Sequence, residues 1–304
     1  MSFLYGPVPS RRLGRSLGVD ILSGKSCTID CIYCQLGSSP PKKPVRRRFV
    51  DPEEVELELS KRVNSGVETD YITFSGSGEP TLSEDLGRLI AFAKGLNVAP
   101  VCVLTNGTLL WDEDVRAELA MADVVIPNLD AADEETFRKI NRPHEDLCWG
   151  RIIDGLMKFR GEFSGKLLLE IVLIEGANDS DEHLARLSEL VKRISPDGVW
   201  VGTVHRPPAE SWAKPVPPER LERAREIIGE SAHIIESFQA RDITAKYSRL
   251  IDEVMDLLRR RPETSEGMAK SLGANEHEVA KALSILEHEG KVERTEAGYY
   301  RVKK

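Results

Sequence analysis

No apolar run in the sequence approaches the roughly 18 residues that a membrane span requires, so no transmembrane helix is expected. The opening stretch, MSFLYGPVPSRRLGRSLG, lacks the apolar core and small-residue cleavage site of a secretory signal. Together these absences imply a cytoplasmic protein with no membrane partner. Cysteine is scarce, with five among 304 residues, an odd number that argues against a disulfide scaffold. Cys102, in the apolar run APVCVLTNG, and Cys148, at the head of a predicted helix, read as inert buried side chains. What is present is ordinary for a globular chain: 40% hydrophobic and 30% charged residues, and length for one large domain and a small one.

Charge is unevenly placed. The formal net charge is −8, yet residues 1–50 carry nine basic side chains against Asp20 and Asp30. Arg11, Arg12 and Arg15 precede the loop at 25–37, and Lys42, Lys43, Arg46, Arg47 and Arg48 follow it. Such runs are either solvated surface or a local positive field that draws an anionic substrate.

Short β-branched runs alternate with helical patterns almost to residue 240. Strands are predicted at Ser16–Leu22, Tyr71–Ser75, Pro100–Thr105, Asp123–Asn128, Lys166–Ile174 and Gly198–Thr203, with a further one at His233–Phe238. In DPEEVELELSKRV, Asp51 reads as N-cap, Pro52 as first turn and Glu54 as capping-box partner. TLSEDLGRLIAFAK repeats that box with Thr81 and Glu84. Leu184, Leu187, Leu190 and Val191 share one face of an amphipathic helix. This alternation predicts an α/β fold, a partial (β/α)6 TIM-like barrel whose chemistry gathers at the C-terminal strand ends. The polar stretches SGSGEP, TNG, NLDAAD, EGAND and TVHRPP fall at those ends.

Three segments are expected: a barrel core over 1–240, a connecting helix over 241–261, and a small domain over 262–304. The last reads as helix, turn at Gly273-Ala274-Asn275, helix, then a hairpin through Ala297-Gly298, a winged helix-turn-helix pattern. Its second helix places Glu276 and Glu278 among exposed positions, with Glu287 and Glu289. Acidity there argues against insertion into a nucleic-acid groove and favours a protein contact or a lid.

The segment KSCTIDCIYCQLG holds Cys27, Cys31 and Cys34 within eight positions. Structural zinc takes four closed ligands, and the next histidine in sequence is His144. Three thiolates alone would quench the Lewis acidity of a catalytic zinc. An iron–sulfur cluster fits better, since three thiolates leave one iron open for a further ligand.

Cys-x3-Cys-x2-Cys with Tyr33 before the last cysteine, placed after the first strand of the barrel, resembles the radical S-adenosylmethionine superfamily. The resemblance implies a [4Fe-4S] cluster on Cys27, Cys31 and Cys34. Its open iron would chelate S-adenosylmethionine, which is cleaved to a 5′-deoxyadenosyl radical that takes hydrogen from the substrate. It also implies an external one-electron donor such as ferredoxin or flavodoxin. GSGEP resembles the superfamily's Gly-Gly-Glu-Pro element, with Gly76, Ser77, Gly78 and Glu79 receiving the methionine ammonium; Ser77 replaces a glycine but keeps the small size. Asn106 in LTNG faces the same site, and Asn128 and Asp130 in NLDAADEETF would meet the ribose. Asp133 reads equally as a helix cap. Glu170 lies in the apolar strand KLLLEIVLIEG, where a carboxylate needs a cationic partner, and is assigned to cofactor binding by the same resemblance.

Residues 3 to about 210 are similar to Fe–S oxidoreductases grouped with wybutosine-type tRNA-modifying enzymes, through YGPVPSRRLGRSLGVDI, FSGSGEPTL, NLDAADEETFRKINRP and TVHRPP. Those enzymes carry a second cluster on cysteines ahead of the radical motif, whereas this chain has none before Cys27. The tricyclic-base reaction therefore does not carry over, and an anionic substrate, RNA among the candidates, does. Two alternatives stay open: a redox or metal sensor acting through the C-terminal domain, and a radical enzyme that modifies a peptide or another enzyme.

Overall fold

The computed structural model of the protein describes residues 2–206, 208–235, 245–295 and 298–303. They form an eight-stranded sheet in the order β1 to β8, with helices packed outside it. The strands are β1 Leu4–Ser10, β2 Gly14–Val19, β3 Tyr71–Phe74, β4 Val101–Thr105, β5 Val124–Pro127, β6 Lys166–Leu173, β7 Gly198–Thr203 and β8 Ala232–Ile234. β1 runs antiparallel to β2, and every later neighbour pairs in parallel. This is a partial barrel of strand–helix units, as the alternation predicted. The six expected strands and the further one near His233 form the parallel part, and an unexpected antiparallel strand, β1, adds an edge. Strand β1 was missed because Gly6, Pro7 and Pro9 break its pattern; an edge strand tolerates the missing N–H groups. Of the predicted His233–Phe238 strand, β8 holds the start, and residues 236–238 lie outside the described residues.

The strands are apolar on both faces. Leu17, Val19, Ile72, Phe74, Val101, Val103, Val125, Leu167, Leu169 and Val199 pack against helices. These helices are α1 Pro52–Asn64, α2 Leu86–Gly95, α3 Glu113–Leu119, α5 Trp149–Glu162, α6 Asp181–Ile194 and α7 Pro218–Ile228. The concave face carries Cys102, Val124, Ile126 and Leu168, capped by Leu13 from the β1–β2 turn. Parallel strands covered on both sides need this composition. Leu184, Leu187, Leu190 and Val191 are all buried, as the α6 periodicity required.

Local signals fared unevenly. The Asp51 side chain accepts from Glu53 N at 3.0 Å and caps α1 behind Pro52. The second predicted box does not form: Pro80–Leu82 is a 3-10 turn capped by Glu79, and α2 starts at Leu86. Asp133 does cap α4, Glu134–Asn141, accepting from Thr136 N at 2.8 Å. Cys102 is fully buried, whereas Cys148 is exposed beside the start of α5, contrary to expectation.

Beyond the barrel lie α8 Ala245–Arg260, α9 Ser265–Leu272, α10 Glu276–His288 and the hairpin of β9 Val292–Arg294 with β10 Tyr300–Val302. Positions 241–244 of the expected connecting helix and Ala297 of the expected hairpin turn lie outside the described residues. Val254, Leu258, Met268, Val279, Leu283, Leu286 and Tyr300 form a core of their own, which Tyr5 and Val8 of β1 join. Helix α10 docks on the barrel through that contact. Glu278 is not an exposed acid: its carboxylate accepts from Gly6 N at 2.6 Å.

Candidate functional site

The cysteine loop leaves β2 and is fixed by main-chain bonds from three directions. The N–H groups of Asp30 and Ile32 donate to Asn141 O and Ile140 O, both at 2.9 Å. Those are terminal carbonyls of α4, which a helix leaves without partners, so the loop and the helix end satisfy each other. Lys42 N donates to Cys27 O at 2.7 Å and closes the loop behind the cysteines. Inside, the Asp30 carboxylate accepts from Lys25 Nζ at 2.9 Å, Ser38 Oγ at 2.6 Å and Ser39 N at 2.9 Å. Burial opposes that charge, but Lys25 and the two serines hold Asp30 below its ordinary pKa.

The third direction is the GSGEP loop after β3. Ser26 N donates to Ser77 O at 2.9 Å, Glu79 N donates to Ser26 O at 2.8 Å, and Ser26 and Gly78 form a parallel bridge. Gly78 has φ of +158°, and a Cβ there would stand 1.7 Å from Ser26 O. That clash is why glycine is required where the two loops zip together. A Cβ on Gly76 would strike the Asp20 carboxylate, which accepts from Ser77 N at 2.9 Å and Ser77 Oγ at 2.5 Å. Ser77 is therefore more than a small substitute for glycine: its hydroxyl ties the loop to the end of β2.

Glu79 is 1% exposed and turned into the protein. Its Oε1 accepts from Thr81 N at 3.1 Å, Thr81 Oγ1 at 2.6 Å and Thr105 Oγ1 at 2.6 Å, and Oε2 accepts from Asn106 N at 2.6 Å. The carboxylate pins the loop to the end of β4. The Asn106 side chain reaches the cysteines, with Nδ2 3.4 Å from Cys27 Sγ and 2.9 Å from Thr28 Oγ1.

Asp130, after β5, sits beneath the loop. Tyr33 donates its hydroxyl to Asp130 Oδ2, Asn141 Nδ2 donates to the same oxygen at 3.0 Å, and Val172 N donates to Oδ1 at 2.9 Å. Burial lifts the Asp130 pKa to about 6, against the pull of these donors. Asn141 Nδ2 also lies 3.3 Å from Cys31 Sγ, so one amide bridges a cysteine and Asp130. Asn106, Asn128, Asp130 and Asn141 line a cavity of about 30 Å³ that Ile29 and Trp149 help to close. Glu170, in β6, lies close enough to Asp130 to oppose its charge. Its backbone bridges to Asn128, while its carboxylate pairs with Arg12 on the concave face.

The thiols fit a cluster better than a single ion. Cys27, Cys31 and Cys34 share one packed patch with Ile29, Ala131 and Phe137. Three thiols on one tight loop can each reach a different iron of a cluster. Burial pushes Cys27 up to about 12 and raises Cys31 and Cys34 as well, with the neighbouring thiols adding to the effect on Cys27 and Cys31. Thiolates crowded in so apolar a place need the positive charge of bound iron.

Asp20 and Asn141 belong to the site and were not singled out from the sequence. Asp20 lies inside the predicted strand Ser16–Leu22, where a carboxylate among apolar residues was a signal that could have been read. Asn141 had no local signal, because only the packing of α4 brings it to Cys31.

The sequence model of the Radical SAM superfamily matches residues 21–188, more than half of the chain. The chain belongs to the radical SAM superfamily. It is 36% identical over 217 residues to a UPF0026 protein of Methanocaldococcus jannaschii, covering 71% of this chain and 67% of that one. A UPF0026 protein of Helicobacter pylori is 32% identical over 90% of this chain and 88% of its own. A protein of Brachyspira hyodysenteriae named GTPase Obg is 37% identical over 95% of this chain, but the chain spans only 43% of its length. Among solved structures, a radical SAM methyltransferase of Sphaerobacter thermophilus aligns with a TM-score of 0.56 at 21% identity, over 72% of this chain and 65% of that one. At that identity the likeness is one of fold. Membership brings the superfamily's cofactors, a [4Fe-4S] cluster and S-adenosylmethionine, and its need for an external electron donor. Among the described residues no helix is long and apolar enough to cross a membrane.

Proposed function

We propose that this radical SAM enzyme binds one [4Fe-4S] cluster on Cys27, Cys31 and Cys34 and uses it to draw hydrogen from an anionic substrate, with RNA within that class. When bound, the cluster and S-adenosylmethionine supply the 5′-deoxyadenosyl radical; the chain's task is to seat and shield them. The observation that carries the reading is the main-chain zipper between Ser26 and the Ser77–Glu79 segment, which fixes the cysteine loop against the ligand loop. Within it, Glu79 acts by positioning: its carboxylate holds the loop and leaves the loop carbonyls to receive an ammonium. The Asn106 and Asn141 amides donate toward Cys27 and Cys31, which favours their thiolate forms. Asn128 and Asp130 line the neighbouring cavity and are assigned to the ribose.

The basic residues do not all support the positive field expected of them. Arg46 donates to Thr81 O, Ser83 O and Glu118, Arg48 grips Asp85 with two bonds of 3.0 Å, and Arg47 stacks over Phe49 at 4.5 Å. Arg46 and Arg48 fasten the segment after the cysteines to the α2 region, whereas Arg47 is exposed and makes only this local stack. Anaerobic reconstitution with iron and sulfide, followed by S-adenosylmethionine and dithionite, tests the proposal. Formation of 5′-deoxyadenosine is expected, and its absence from protein that has loaded a cluster would overturn the reading.

A further inference from the structure

Two carboxamides reach the cysteines from different elements, each by a side chain that the main-chain anchoring of the loop does not use. Asn141 ends α4 and is 4% exposed. Its carbonyl already holds the loop by accepting from Asp30 N at 2.9 Å. Its side chain places Nδ2 3.3 Å from Cys31 Sγ and 3.0 Å from Asp130 Oδ2. An amide nitrogen carries two hydrogens, and here each has one acceptor. The opposite flip would set the amide oxygen against a sulfur and a carboxylate, so the surroundings fix the orientation. Asn106, just after β4, divides its work in the same way. Its main-chain N–H goes to Glu79, while Oδ1 accepts from Thr108 N at 2.9 Å and Thr108 Oγ1 at 2.7 Å. With the oxygen so engaged, Nδ2 faces Thr28 Oγ1 at 2.9 Å and Cys27 Sγ at 3.4 Å.

A cluster on these cysteines takes one electron from the external donor, and its sulfur ligands share the added negative charge. Donors aimed at a ligand sulfur stabilise the reduced form more than the oxidised one and raise the reduction potential. Resting on the assignment of the cluster to Cys27, Cys31 and Cys34, we infer that the Asn106 and Asn141 side chains set its reduction potential, acting through Cys27 and Cys31. The two are not equal. Asn141 stands between two negative groups, the Cys31 thiolate and the Asp130 carboxylate, which would face each other without it. Tyr33 and Val172 N hold that carboxylate in place, so it is not free to turn away. Besides the sulfur, the Asn106 side chain bonds only hydroxyls and a main-chain N–H. Loss of the Asn141 amide therefore costs the reduced cluster more.

The test is a redox titration, followed by electron paramagnetic resonance, of the anaerobically reconstituted full chain without S-adenosylmethionine. Asn106→Leu and Asn141→Leu keep the side-chain size and remove the N–H groups. Both should load iron and sulfide as wild type does and accept the electron less easily, a change that a merely structural role would not produce. At a fixed potential the ratio of reduced to oxidised cluster should fall about three- to tenfold in Asn106→Leu, the worth of one net hydrogen bond, and further in Asn141→Leu. A tenfold fall is about 59 mV for one electron. Arg88→Gln, which removes a distant surface pair with Glu56, should leave the ratio unchanged. If Asn141→Leu does not load a cluster, Asn106→Leu carries the same expectation. Loaded variants with the wild-type potential overturn the inference and leave the cluster assignment standing. Failure of both variants to load gives the amides a structural role and overturns it too, and wild type that loads no cluster overturns inference and assignment together.

Discussion

Replacing Glu79 by glutamine probes the pin between the ligand loop and the sheet with the least change in shape. Four donors converge on the carboxylate, two of them hydroxyls and two of them main-chain N–H groups, Thr81 N on Oε1 and Asn106 N on Oε2. An amide must put its NH₂ where one of those oxygens was. The Thr81 and Thr105 hydroxyls can rotate to accept from it, but a main-chain N–H cannot. Either orientation therefore strands one buried N–H, at a cost of roughly 1–3 kcal/mol. The neutral amide also escapes the desolvation that raises the Glu79 pKa, which offsets part of the weakening of the remaining bonds. A net loss of about 2 kcal/mol in urea denaturation is expected, together with S-adenosylmethionine affinity weaker by up to about 30-fold if the whole loss falls on the ligand-ready loop. Stability within about 0.5 kcal/mol of wild type, as for an ordinary surface change, would refute the pin.

Cys31→Ala should abolish cluster assembly and 5′-deoxyadenosine release together; retention of about four irons per chain in an iron assay would contradict the ligand assignment. Arg46→Met should lower the urea midpoint by the equivalent of about 2–3 kcal/mol, since it strips a mostly buried guanidinium from two carbonyls and Glu118. Undiminished stability in that variant would return Arg46 to a ligand-facing role. Burial raises Glu287, in α10, from 4.5 to about 7, so its protonated form favours the fold. Its contribution is present below about pH 4.5 and is lost as pH rises through about 7. Glu287→Gln should flatten that part of the stability profile, and an unaltered slope in thermal melts across the range would count against it.

What could be read in the sequence was whatever depends on near neighbours. The parallel strands followed from β-branched runs between helical periods, the cysteine cluster from residue type and spacing, and GSGEP from its resemblance to the superfamily's element. Glu170 was legible as a carboxylate requiring a cation, because an apolar strand leaves few other outcomes; Arg12 was not legible as that cation, since 158 positions separate them. The same limit explains the arginines after the cysteines. Arg46, Arg47 and Arg48 form a charge run in sequence, but the partners of Arg46 and Arg48 at Thr81, Ser83, Asp85 and Glu118 come together only when the loop folds back on α2. Strand β1 failed for another reason: proline content demotes a strand in any local reading, and its edge position is a property of the whole sheet.

The enzyme and sensor readings differ in what the C-terminal segment must do. A sensor needs its output domain to present a surface outward and to shift when the thiolate loop changes state. Here α10 spends one face on the barrel: Glu278 satisfies a β1 N–H, Ser284 bonds the chain after β7, and Val279 and Leu283 sit in a core shared with Tyr5 and Val8. A helix so anchored to the barrel does not present that face outward. Sensing would also leave unexplained why Gly78, Glu79, Asp20 and Ser77 are built around the loop that the proposed function assigns to S-adenosylmethionine.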